Sequence, residues 1–277
     1  MEKTFDVDGP IRLDVRLTSG EIDITAAGTD RATVELIAHD DDTQELVDAA
    51  RVELNGRELI VDVPWRRRGL SIGSFFSDRG VTCRIRCPES SSLKARVKSA
   101  EVTVQGTMAD VDAATASGDV RLATVSGNLV AKTASGDVTA ASVAGNASVN
   151  TASGDVELGP VGGVLSANSA SGDVSVASLG GGGKTNTASG DVSLDDVAGG
   201  DITVNSASGD IRIGIRRGVR AYLDCSSVSG DTRSELDVGS DEPEGDGALL
   251  ELKARTVSGD ITIVPASAPA ASQEVHA

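Results

Sequence analysis

Apolar and polar residues alternate along most of this chain with a period of two, the pattern of strands buried on one side. From residue 120 the alternation is tied to a repeat. Val120/Leu122, Val138/Ala140, Val156/Leu158, Val174/Val176, Val192/Leu194 and Ile211/Ile213 are apolar pairs two apart, each directly behind a Ser-Gly-Asp. Five residues past the first Val of each Val-led pair runs another apolar column: Val125, Val143, Val161, Leu179 and Val197. No 3.6-residue period occurs in this region.

Ser-Gly-Asp begins at Ser117, Ser135, Ser153, Ser171 and Ser189, 18 residues apart each time, and then at Ser208, Ser229 and Ser258 after 19, 21 and 29. Weaker echoes lie midway, at Ser126-Gly127-Asn128, Ala144-Gly145-Asn146 and Val161-Gly162-Gly163. A short strand and a glycine corner take about nine residues, so two such halves close one coil of a flattened β-solenoid with coils stacked about 4.8 Å apart. Six coils extend roughly 29 Å. On the returning strand Lys132, Asn150, Asn168, Asn186 and Asn205 form an outward column, and the inward Ala131, Val149 and Ala167 are small enough to let the two sheets approach closely. The expectation is an all-β chain built on a parallel β-solenoid of about 18 residues per coil.

Residues 1–105 lack the Ser-Gly-Asp ladder and still read as strands: Thr4–Val7, Ile11–Leu17, Glu21–Thr25, Ala32–Ala38, Arg51–Leu54, Leu59–Val63, Val81–Cys87, Leu93–Val97 and Val102–Gln105. "DDTQELVDAAR" predicts one short helix with Asp or Thr as its cap, and "LTSGEIDI" (Leu17–Ile24) looks like a degenerate repeat. We expect 1–105 to be a β-rich part that caps one open end of the solenoid, 106–264 to be the repeat solenoid with its C-terminal strands, and 265–277, "PASAPAASQEVHA", to be a disordered tail. "SELDVGSDEPEGDG" (Ser234–Gly247) has six acids and no base, the mark of a solvated loop.

Composition narrows the picture. The chain of 277 residues holds 32 Gly and five aromatics, so its core must be thin and built from Val, Ala and Thr. A net charge of −17 disfavours nucleic acid and anionic membranes as partners. "MEKTFDVDGPIRLDV" shows neither an apolar h-region nor a cleavage site, and no run is apolar enough to span a bilayer, which leads to the expectation of a soluble, cytoplasmic protein. Cys83, Ile85 and Cys87 alternate onto one face of a strand and read as core residues, and Cys225 has no evident partner.

The corner acids Asp119, Asp137, Asp155, Asp173, Asp191 and Asp210 must stack one above another. Like charges about 5 Å apart in water repel by on the order of 1 kcal/mol per pair. Either they accept backbone N–H bonds in glycine-permitted turns, or calcium sits between them as in nonapeptide solenoids. One Gly per main corner, against G-G-x-G-x-D-x-U-x, favours the structural corner.

"PWRRRGLSIGSFFSDRG" (Pro64–Gly80) breaks the pattern. Trp65, Phe75 and Phe76 stand among Arg66, Arg67, Arg68 and Arg79 against one Asp, a local reversal of sign made of residue types common in binding hot spots. The segment is the candidate partner-binding loop; the plainer alternative is a long hairpin loop folded over the sheet. His39 lies beside three aspartates whose side chains point apart. "LGGGGKTN" (Leu179–Asn186) lacks the phosphate-loop frame. No catalytic residue can be named, an enzyme is not expected, and no cofactor is implied.

The T-A-S-G-D-V ladder, "ARTVSGDITI" (Ala254–Ile263) and "IGIRRGVRAYLD" (Ile213–Asp224) together resemble the adhesin-like bacterial domain-of-unknown-function family of β-strand repeat-containing proteins, of actinomycete and Gram-positive type. The resemblance covers roughly residues 5–264 and implies a right-handed β-solenoid with no established activity. The expected function is a non-enzymatic binding or scaffold module, monomeric or weakly self-associating, with an unidentified protein partner. The alternatives are a self-assembling structural protein and a cell-surface adhesin stabilised by calcium.

Overall fold

A computed structural model describes residues 1–64, 80–236 and 249–266. The candidate loop residues Trp65, Arg66, Arg67, Arg68, Phe75, Phe76 and Arg79 lie outside the described residues, as do most of the acidic stretch and nearly all of the expected tail.

The strands follow the alternation. In the N-terminal part these are β1 (Glu2–Asp6), β2 (Arg12–Ala27), β3 (Arg31–Ile37), β4 (Arg51–Asn55), β5 (Glu58–Asp62), β6 (Val81–Pro88) and β7 (Ser92–Met108). Between β3 and β4 lies α1 (Asp41–Asp48), with Asp40 as N-cap accepting from the Thr43 N–H at 2.7 Å. This is the short helix that the sequence signals.

The repeat then supplies two strands per coil. They are β8 (Val111–Ala114), β9 (Val120–Val125), β10 (Leu129–Lys132), β11 (Val138–Val143), β12 (Ala147–Asn150), β13 (Val156–Val161), β14 (Leu165–Ser169), β15 (Val174–Leu179), β16 (Gly183–Ser189), β17 (Val192–Val197), β18 (Gly200–Ser208) and β19 (Ile211–Ile215). Even-numbered members stack in parallel on one face and odd-numbered members on the other, so the protein is a parallel β-solenoid. The apolar columns read from sequence all point inward and are buried, from Val120 and Leu122 to Ile211 and Ile213.

The stack starts earlier in the chain than the ladder does. β2 and β7 are each a full coil, both strands and the corner running as one element. Arg12–Leu17 pair with Ser92–Val97 on one face and Gly20–Thr25 with Ala100–Gln105 on the other. β5 and β6 form the coil on the far side of β2. Among the described residues only β1, β3 and β4 run antiparallel, closing the stack at that end.

The other end departs from chain order. After β19 come β20 (Arg220–Ser229), β21 (Thr232–Ser234), β22 (Leu249–Ser258) and β23 (Ile261–Pro265). β22 lies between β18 and β20, and β23 between β19 and β21, so the last coil in sequence is inserted beneath the one before it. The reason is apolar content. Leu250, Leu252, Ala254, Ile261 and Ile263 are fully buried in the inserted coil, whereas the terminal coil places only Ala221, Leu223, Cys225, Thr232 and Ser234 at the corresponding positions. Burying the more apolar coil on both sides removes more apolar surface from water.

Candidate functional site

The corner edge carries the most regular chemistry on the molecule. Its glycines stack so closely that a Cβ on Gly154 falls 2.0 Å from the Gly136 carbonyl oxygen, and one on Gly172 falls 2.1 Å from that of Gly154. The sequence suggests positive φ as the reason for glycine here. Among the main corners only Gly20, Gly209 and Gly259 have it, at 125°, 152° and 148°; at Gly118, Gly136, Gly154, Gly172 and Gly190 the reason is space.

Each corner aspartate uses one carboxylate oxygen to join coils. Asp119 Oδ1 accepts the Asp137 N–H at 3.0 Å, Asp137 that of Asp155 at 2.9 Å, Asp155 that of Asp173 at 2.9 Å, Asp173 that of Asp191 at 2.8 Å and Asp191 that of Asp210 at 2.7 Å. The chain of acceptors continues in spatial order through Asp260 to Asp231, at 2.8 Å each, and confirms the inserted coil. Glu101, one coil below Asp119, shares Arg121 with it.

The opposite edge does the same with amides. Asp110 accepts from Asn128 N–H at 2.8 Å, Asn128 from Asn146 at 3.0 Å and Asn146 from Val164 at 2.8 Å. The bond therefore needs an oxygen and no charge. Neutralising one acid relieves two repulsions of on the order of 1 kcal/mol each and weakens one charge-assisted bond by a similar amount. Asp155→Asn is expected to keep or raise stability, by up to about 1 kcal/mol at low salt, while Asp155→Ala costs about 1 kcal/mol. Urea unfolding at low and high salt checks this. An asparagine variant as weak as the alanine one assigns the carboxylate a partner of its own, and a calcium-dependent difference makes that partner the cation.

Other columns fix the faces. The amides of Asn168, Asn186 and Asn205 donate in turn to Asn150, Asn168 and Asn186 at 2.7–3.0 Å, the outward ladder read from sequence. Inside the corner, Thr115, Thr133 and Thr151 hydroxyls accept from the N–H groups of Gly118, Gly136 and Gly154. Further on, β16 and β18 run straight to the corner, and the Ser169, Thr187 and Ser206 hydroxyls are buried without a protein partner.

The candidate loop enters this geometry through its anchors. Its described flanks are Val63–Pro64, after β5, and Gly80, before β6; these two strands pair with the two faces of β2 on either side of the Ser19–Gly20 corner. Gly80 is wedged in: a Cβ there falls 2.1 Å from the Ser19 carbonyl group and 2.2 Å from the Gly20 nitrogen. Among the described residues, one shallow groove beside the exit is lined by Arg16, Val63, Arg96, Lys98 and Thr115, and another beside the return by Gly20, Glu21, His39, Thr82 and Glu101. Asp14, nearly buried, holds Arg16 through two bonds of 3.0 and 3.2 Å and keeps that guanidinium protonated above its ordinary range.

Cys83 and Cys87 are buried in the core of β6, and burial pushes their thiols up to about 12 and about 11. His39 Nε2 lies 2.9 Å from the Thr82 hydroxyl. Among the described residues no His, Cys, Asp and Glu side chains gather in threes as a metal ligand set, and no helix is long and apolar enough to cross a membrane.

Comparison with known proteins follows the fold. No curated protein matches the sequence. Solved structures align nearly end to end. A candidate adhesin from Bacteroides fragilis NCTC 9343 has 12% identity over 95% of this chain and 96% of its own, at a TM-score of 0.39. Two proteins of Parabacteroides distasonis ATCC 8503 each cover the same shares at a TM-score of 0.37. One is a candidate adhesin at 10% identity and the other a candidate lipid-binding protein at 14%. Residues 11–264 match the model of the Toastrack DUF4097 family, from the first full coil to the end of β23. The chain belongs to the Toastrack DUF4097 family, a domain-of-unknown-function family as its Ser-Gly-Asp ladder suggests.

Proposed function

We propose that this protein is a non-enzymatic binding scaffold, in which a solenoid carries the Trp65–Arg79 segment as its recognition element for a protein partner. The observation that carries the reading is positional. In a stack whose corners repeat with little variation, the two strands that flank this segment in sequence pack on either side of one corner, and Gly80, the residue after it, lies tight against Ser19 and Gly20. Coils joined by carboxylate, amide and backbone ladders give it a base that loses little entropy when a partner binds. Three aromatics beside four arginines supply hot-spot residue types on a chain otherwise strongly acidic.

Capture with tagged full-length protein, compared with the Phe75→Ala/Phe76→Ala variant, tests this. Loss of specific partners with unchanged thermal unfolding is the expected result. Identical partner sets for both proteins remove the segment as the epitope.

A further inference from the structure

We propose that the terminal coil is a dimer interface, with β20 of one copy pairing antiparallel to β20 of a second copy about a two-fold axis at Tyr222. This goes beyond the proposed partner-binding role and does not depend on it.

The two ends of the stack differ. At the N-terminal end the edge strands β1 and β4 are five residues each. They carry the Arg51–Glu53 ion pair at 2.7 Å, and Lys3 Nζ donates to the Val52 carbonyl at 2.9 Å. Short, charged, side-chain-capped edges resist pairing. At the other end β20 is ten residues long, and among the described residues it pairs with β22 alone. Its outer edge is therefore a row of peptide groups open to a further strand. Tyr222 and Val228 stand 64% and 80% exposed on it.

Of the registers centred from Ala221 to Asp224, one gives complementary charges between two copies of this strand. Pleating keeps inward residues opposite inward ones. An antiparallel self-pairing centred on Asp224 sets two carboxylates against each other. One centred on Leu223 leaves Arg220 facing Ser226, and one centred on Ala221 leaves Asp224 facing Gly218. Centred on Tyr222, residues Arg220–Asp224 of the two copies overlap and Arg220 of each lies opposite Asp224 of the other, two complementary pairs from one strand. That register also sets Ala221 against Leu223. Val219, Leu223 and Cys225 already pack on the core from this open end, so it prolongs the apolar interior across the junction. Asp224 remains 41% exposed while bonded to Arg255 at 3.4 Å, and keeps an oxygen for the second arginine. With one pairing end per copy, the contact closes as a two-fold dimer and does not propagate into filaments.

Size-exclusion chromatography with light scattering on the full chain, over a wide concentration range, is the test. The expected result is a concentration-dependent dimer and nothing larger. Arg220→Glu and Asp224→Arg each set like charges opposite one another twice, and each should weaken dimerisation by about tenfold or more. An equimolar mixture of the two should recover dimers, because each then faces the opposite charge in the other. Tyr222→Lys, which sets two ammonium groups on the axis, gives an independent loss if Asp224→Arg disturbs its own coil by losing Arg255. A wild-type monomer at every concentration, larger assemblies, dimers unaffected by Arg220→Glu and Tyr222→Lys, or a mixture that stays monomeric would each overturn the proposal.

Discussion

Gly154→Ala should destabilise the folded protein by about 3 kcal/mol, at the upper end of what a single added methyl costs in a packed interior. The added Cβ falls 2.0 Å from the Gly136 carbonyl oxygen and 2.6 Å from its carbon, both backbone atoms held by the ladder below. Neither can rotate away, so the coils must part, and parting them breaks the bond from the Asp155 N–H to Asp137 at 2.9 Å. Gly154 is not at positive φ, so backbone strain adds nothing and the whole effect is steric. Gly28, which has open space around it and no positive φ, is the control. Gly28→Ala should keep stability or raise it by up to about 1 kcal/mol, since it removes only backbone freedom from the unfolded chain. Denaturant midpoints for the two variants decide it. If Gly154→Ala unfolds within about 0.5 kcal/mol of Gly28→Ala, close stacking is not what fixes glycine at the corners.

The same contact explains why so much of the fold could be read from the chain. Corners stacked this tightly leave almost no room for a side chain and are written as glycine from Gly118 onward, and a stack with one strand spacing per coil repeats at nearly constant length. Ser-Gly-Asp every 18 residues states both conditions. The coils formed by β2 and β7 are fainter because their corners are degenerate. Ala100 replaces glycine and Glu101 replaces aspartate, although Ser99 lies one full period, 18 residues, before Ser117. The β5–β6 coil is fainter still, its two strands being separated by the inserted segment.

The candidate site was legible only as composition. Aromatics and arginines at Trp65–Arg79 stand out in an acidic chain, but that the strand after them starts beside the Ser19–Gly20 corner follows from the pairing of Val81 with Gly20, a long-range contact that no local pattern encodes. The corner aspartates were legible as a stack, and their role as acceptors from the neighbouring coil was not, because it depends on which way each Oδ1 points.

Chain order gave no sign of the inserted coil, and its energetics carry the second large prediction. Leu252 and Leu223 are the same side chain, face each other in direct register and belong to coils that both end in Ser-Gly-Asp. They differ in position within the stack. Leu252 has coils on both sides and no exposure, whereas Leu223 is only partly buried. Leu252→Ala should cost about 2–5 kcal/mol, the range for a fully enclosed leucine. Leu223→Ala should cost less than about 1 kcal/mol, since water already reaches the site and no closed cavity forms. The comparison belongs at protein concentrations low enough to keep the chain monomeric, because pairing through β20 would cover Leu223. A chain stacked in simple sequence order would give the reverse ranking, with Leu223 enclosed and Leu252 at the open end. The inversion thus follows from the rule that set the corners: what repeats in sequence sets which coils can stack, and what each coil must hide from water sets where in the stack it goes.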